Sequence, residues 1–186
     1  VSQVTLDKVH SRGYLESCGA EEVVNNCANL LGPDLPGEES LTKIFPGWKR
    51  GPQLDDVVML CFSDPFNMEE WQKIIPGLHG DTVMENRYME LHVRVAKMMF
   101  DVKAQWQWGR SWDQVYQAIL DGNSVGMLIP GHYISAGIVD DEAQCLRIKD
   151  SWPGRKSEWR GNGFLQLFTK YEFSTVKQTV IYYKPQ

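Results

Sequence analysis

The apolar pattern changes character at Gly122, and this change limits the folds open to the chain. Before it, apolar residues recur at helical spacing. Ala20, Val23, Val24, Cys27, Leu30 and Leu31 follow the i, i+3, i+4, i+7 rule until Gly32-Pro33 stops the run. Residues 82–103 form the longest helical stretch, with Met84, Tyr88, Leu91, Val95, Met98 and Met99 on one face. Ser111 and Gln114 have the spacing of a capping box, opening a helix from Trp112 to Leu120. After Gly122 come short runs rich in Val, Ile, Tyr and Phe, at 124–129, 132–139, 145–149, 164–168 and 177–183. Pro130-Gly131, Asp140-Asp141, Pro153-Gly154 and Asn162-Gly163 separate them, as turns separate the strands of an antiparallel meander. Helices first and strands later predict an α+β fold with segregated layers. The expectation is one domain over 1–186, with a helical part at about 1–122 and a sheet part at about 123–186.

The middle of the chain is less regular. Residues 33–56 are rich in Pro and Gly and read as loop, 57–62 is a short apolar run, and 67–75 has helical character ending at Pro76-Gly77. With 186 residues, 42% of them hydrophobic, the chain is long enough to bury a substantial core. A net charge of −5 gives no electrostatic footprint for nucleic acid, and no apolar run reaches the ~18–20 residues of a membrane span. Cys18, Cys27, Cys61 and Cys145 form no CxxC pair, so zinc-finger spacing is absent and reduced thiols are expected. The opening VSQVTLDKVH has no basic segment followed by an apolar one, so no signal peptide is visible. The expectation is cytoplasmic synthesis or release from a larger protein. No cofactor is expected. Gly161-Asn162-Gly163 precedes a strand rather than the helix a phosphate loop needs, and Asp140-Asp141-Glu142 lacks the alternation of a calcium loop.

Three places carry candidate chemistry. Cys18, in Ser17-Cys18-Gly19-Ala20, sits at the mouth of the first helix, where the helix field favours a thiolate. Gly19 permits close approach of a substrate, and the Cys18 backbone N–H can face an oxyanion. Glu21 and Glu22 share that first turn and oppose a thiolate unless they point away. His132 opens a strand, a rigid mount suited to a general base. Asp150 ends the next strand, where a carboxylate can hold the second ring nitrogen of the imidazole, and Trp152 can shield that bond from water. Taken singly, the three residues read as a small core residue, a satisfied structural histidine and a solvated turn carboxylate.

Their order and placement resemble those of the papain-like cysteine peptidases. Residues 146–154, Leu-Arg-Ile-Lys-Asp-Ser-Trp-Pro-Gly, are similar to that superfamily's strand and Asn-Ser-Trp-Gly segment. Residues 161–165, Gly-Asn-Gly-Phe-Leu, resemble its Glu-Asn-Gly-Tyr-Ile continuation. Residues 131–141, from Gly131-His132-Tyr133 to Asp140-Asp141, are similar to the strand and acidic turn of the bacterial leader-peptidase-like branch. The likeness covers about 10–32 and 111–170. It implies Cys18 as nucleophile, His132 as general base and acid, and Asp150 as the group that orients His132. Asp150 stands where Asn is commoner, and the family's oxyanion Gln has no counterpart just before Cys18. Gln3, Arg12 and Tyr14 are the candidates for that donor.

The resemblance implies hydrolysis of an amide bond in a protein, a leader peptide or a peptidoglycan cross-bridge through a Cys18 thioester. A phage or bacterial cell-wall hydrolase is one such enzyme. The same triad also serves transglutaminase-like, deamidase and acyltransferase chemistry, and a third alternative is a binding module with a decayed site. His10 and His79 read as surface and loop residues, and His92 as a helix-surface or partly buried one. Met84, Met89, Met98 and Met99 read as core filling, as do Trp106, Trp108 and Trp112, with a substrate-binding wall as the alternative for the three tryptophans.

Overall fold

The computed structural model describes residues 18–32, 89–150, 158–160 and 163–186. The expectations for Gln3, Arg12, Tyr14 and Trp152, and those for His10, Cys61, His79 and Met84, lie outside these residues. The helices are α1 (Cys18–Leu31), α2 (Glu90–Phe100), α3 (Trp112–Leu120) and α4 (Lys170–Phe173). The strands are β1 (Ala104–Trp108), β2 (Ser124–Ile129), β3 (His132–Asp140), β4 (Cys145–Asp150), β5 (Glu158–Arg160), β6 (Gly163–Thr169) and β7 (Gln178–Tyr182). The seven strands form one sheet in the order β1-β7-β2-β3-β4-β6-β5, with every pair antiparallel. Helices on an antiparallel sheet make the fold α+β.

Two expectations about the layers need correction. The helical part does not run to 122, because Ala104–Trp108 is a strand paired with β7 at the far end of the chain. The helix before it stops at Phe100, where Asp101 adopts φ 54 and its N–H caps the Ala96 and Lys97 carbonyls. The sheet is also not a simple meander, since β7 lies between β1 and β2. The five residues AQWQW are too few for their alternation to stand out against the long helical pattern before them.

The capping box of α3 is present. The Ser111 hydroxyl accepts from the Gln114 N–H at 3.2 Å, and the Gln114 carbonyl oxygen accepts from the Ser111 N–H at 2.8 Å. The apolar side of α3 covers one face of the sheet. Val115 and Ile119 pack there with Met127, Ile134, Leu146 and Phe168. Each such side chain contributes roughly 1.5–3 kcal/mol when removed from water. Trp112 packs against this cluster and Phe173, as expected, whereas Trp108 is an exposed residue of the edge strand.

The other face carries α1. Val23, Val24, Cys27 and Ala28 are buried, but so is a polar stripe one and two turns long: Glu22, Asn26 and Asn29. Small residues on the sheet receive it. A Cβ on Gly126 would lie 1.5 Å from Glu22 Oε1, and one on Gly137, at the irregularity between Ala136 and Ile138, would lie 2.5 Å from Asn29 Nδ2. Hydrogen bonds link these polar groups in sequence, with the Asn29 carbonyl oxygen left over. Asn29 Nδ2 donates to Ser124 Oγ at 2.9 Å, Ser124 Oγ donates to Asn26 Oδ1 at 2.5 Å, and Asn26 Nδ2 donates to Glu22 Oε1 at 2.9 Å. Tyr182 Oη donates to both Glu22 oxygens at 2.9 and 3.0 Å. His92 Nδ1 donates to Glu22 Oε2 at 2.6 Å, because a carboxylate can only accept. These bonds offset the desolvation of a buried carboxylate, which no apolar contact would do.

Candidate active site

The β2–β3 hairpin turns on Pro130-Gly131, with Gly131 at φ 69, a left-handed conformation that glycine takes without a Cβ penalty. His132 is the first residue after this turn, pairs with Ile129, and is buried. Asp150 is the last residue of β4, which neighbours β3, and is buried as well. Side chains alternate along a strand, so His132 shares a face with Ile134 and Ala136, and Asp150 with Leu146 and Ile148. On that common face His132 Nε2 meets Asp150 Oδ1 at 2.5 Å. The expected pairing of this histidine with a carboxylate on the adjacent strand is therefore present.

A third group completes the arrangement. Gln166 stands across from Ile148 on β6 and is buried, and its Nε2 donates to Asp150 Oδ2 at 2.8 Å. Both carboxylate oxygens are thus engaged, one by an imidazole and one by an amide. Charge-assisted bonds of this kind fix a side chain more firmly than neutral ones. With Nε2 donating to Asp150, a neutral imidazole carries its lone pair on Nδ1. Nothing in the sequence marks Gln166, because a polar residue in an alternating strand reads by default as solvent-facing.

Cys18 is the first residue of α1 and is described by its backbone alone, while Gly19 is buried in the same turn. The direction of α1 follows from its contacts. Glu22 stands over Gly126, and Asn29, two turns on, over Ser124, Ser135 and Gly137. The helix therefore runs away from the β2–β3 hairpin, and its thiol-bearing end lies at the end of the sheet where His132 and Asp150 stand. Gly126 and Ser135, which α1 covers, belong to the face opposite Ile134 and hence opposite His132. α1 and the side chain of His132 therefore lie on opposite faces of the sheet. Glu22 points into the sheet, toward Tyr182 and His92, and so away from the outer end of α1.

The two thiols among the described side chains are poor nucleophile candidates. Cys27 and Cys145 are free and buried. Burial pushes the Cys27 thiol well above its ordinary pKa, and the nearby Glu22 adds to this. Burial also raises Cys145, with Asp140 contributing. A raised pKa leaves little thiolate at neutral pH. His92 is neither a helix-surface nor a partly buried residue. It is fully buried between Glu22 and the ring of Tyr133, whose centroid lies 4.7 Å away. Helical spacing marks positions on a wheel, and here the face carrying His92 is covered by α1 and β3.

Asp140-Asp141-Glu142 forms an exposed turn in which Asp140 pairs with Arg147 at 3.1 Å and Tyr116 donates to Asp141 at 2.5 Å. Among the described residues, no group of three or more His, Cys, Asp or Glu side chains could hold a metal ion, and no helix is long and apolar enough to cross a membrane. No family model matches the chain, and no curated protein is significantly similar to it.

Proposed function

We propose that the chain is a cysteine peptidase or amidase of papain-like type. In this reading the Cys18 thiolate attacks an amide carbonyl, His132 protonates the leaving amine through Nδ1, and water then hydrolyses the thioester with His132 as base. Asp150 holds the imidazole and stabilises its charged form, and the Cys18 N–H provides one oxyanion donor at the start of α1. Gln3, Arg12 and Tyr14 are the candidates for a second donor, and Gly19 and Trp152 for support of the cleft. The substrate class is a protein, a leader peptide or a peptidoglycan peptide. The observation that carries the reading is the buried His132 Nε2–Asp150 Oδ1 bond at 2.5 Å, set at the end of the sheet that α1 approaches with Cys18. Substitution Cys18→Ala tests it. Turnover of an amide substrate should fall on the order of a thousandfold or more with an unchanged melting curve. Activity retained in this variant would remove Cys18 as nucleophile. Incorporation of an added amine into the acyl product would move the assignment to acyl transfer with the same residues.

A second reading, a binding module without turnover, draws on one specific feature. His132 lies on the sheet face opposite the one α1 covers. In that reading His132, Asp150 and Gln166 are a buried structural triad, and Cys18→Ala changes nothing measurable.

A further inference from the structure

We infer that Gln166 is a positioning residue of this site, acting on His132 through Asp150. The inference rests on the catalytic reading above for its functional meaning and on geometry for its substance. A carboxylate at the end of a strand can rotate about its last bond and offer either oxygen, or neither, to a neighbour. Asp150 is denied that freedom. The Gln166 amide holds Oδ2 at 2.8 Å, and with that oxygen fixed, Oδ1 faces His132 Nε2 at 2.5 Å. The orientation of the amide is chemically settled, because a carboxylate accepts and so must face the nitrogen end of Gln166. All three side chains are buried, with relative exposures of 5% for His132, 7% for Asp150 and 7% for Gln166, so water is a poor substitute for the amide.

The strand register makes this possible. Gln166 pairs with Ile148 and Asp150 with Phe164, so Gln166 and Asp150 are diagonal neighbours on one face, within reach of a long side chain. At metal sites, removing the outer partner that orients a ligating histidine costs roughly 10- to 100-fold; an imidazole held by a carboxylate depends on its outer partner for the same geometric reason.

Two variants and two readouts test the inference. Gln166→Met keeps length and removes the donor. Gln166→Glu keeps length and donates only when protonated, so above its titration it repels Asp150. For Gln166→Met, iodoacetamide alkylation of Cys18 at neutral pH should slow about tenfold or more. For Gln166→Glu, the ratio of its alkylation rate to that of the unsubstituted chain should rise as pH falls, because protonation restores a donor. A ratio that does not change with pH overturns the inference, as does a Gln166→Met rate within a factor of two or so of the original. Should both replacements unfold the chain, Gln166 is structural and the inference also fails. Histidine NMR titration separates this from failure of the catalytic reading. If Cys18 proves no more reactive than the other thiols, the titration midpoint of His132 should still shift in Gln166→Met, because the carboxylate it pairs with is no longer held. A His132 midpoint that does not move overturns the inference independently of any thiol chemistry.

Discussion

Gly126→Ala places a methyl group where the Glu22 carboxylate now sits. The added Cβ would lie 1.5 Å from Glu22 Oε1, 2.5 Å from its Cδ and 3.2 Å from Asn26 Nδ2. The first two contacts are impossible, so the carboxylate must leave. It has little room to do so, because Tyr182, His92 and Asn26 all donate to it in a fully buried setting. Moving it away breaks a buried charged network and leaves donors unsatisfied, a loss of about 3 kcal/mol or more. In a domain of this size that corresponds to a fall in Tm of roughly 6–12 °C. Denaturant unfolding of the single variants and of Glu22→Ala/Gly126→Ala gives the coupling directly. Once Glu22 is truncated, the methyl group should add less than about 1 kcal/mol, so the two effects should be strongly non-additive. Additive effects, or a Gly126→Ala variant as stable as the original, would refute the claim that α1 is seated on the sheet by this contact.

Three further outcomes follow from the same geometry. Ser111→Ala removes one half of the α3 capping box and should lower stability by about 1 kcal/mol in chemical denaturation, with Ser111→Gly affecting it less. Tyr116 has its phenol pushed up to about 12, first by its hydrogen bond to Asp141 and then by burial, so Tyr116→Phe should remove one late-ionising tyrosine from an ultraviolet titration and leave that of the buried Tyr182. Its pKa is raised in the folded state, so its contribution to stability is present below about pH 10 and is lost as pH rises towards 12, a direction that unfolding curves at pH 9 and 11 can check. Asp150→Ala should leave His132 and Gln166 buried without their acceptor, and the loss of stability should exceed that of Asp150→Asn, which can still accept from one of them.

The parts of this architecture that were legible in the sequence are those written in periodicity or punctuation. The apolar stripe of α1, its stop at Gly32, the Ser111 capping box and the strands after Gly122 follow from spacing and turn residues. His132 and Asp150 could be placed on adjacent strands because Pro130-Gly131 marks the turn before β3 and Asp140-Asp141 the turn between β3 and β4. What could not be read is contact across the fold. The polar stripe Glu22-Asn26-Asn29 looks solvent-facing on a helical wheel, and only Ser124, Gly126, Ser135 and Gly137 on the sheet make it an interior surface. Gln166 and His92 are hidden in the same way, each polar in an amphipathic element yet covered by a neighbour distant in sequence. β1 is hidden because its partner is the last strand of the chain, β7, and short edge strands take their identity from pairing rather than from their own pattern.

The central claim is that one thiol, Cys18, is activated by His132 held on Asp150. The most direct measurement is the rate at which each of the four cysteines is alkylated by iodoacetamide at neutral pH, site by site by mass spectrometry, in the original chain and in His132→Ala. The account predicts that Cys18 reacts about tenfold or more faster than Cys27, Cys61 and Cys145, and that His132→Ala removes this advantage while the fold, followed by circular dichroism, persists. A Cys18 rate equal to that of the other thiols, or one that His132→Ala leaves unchanged in a folded chain, would contradict it.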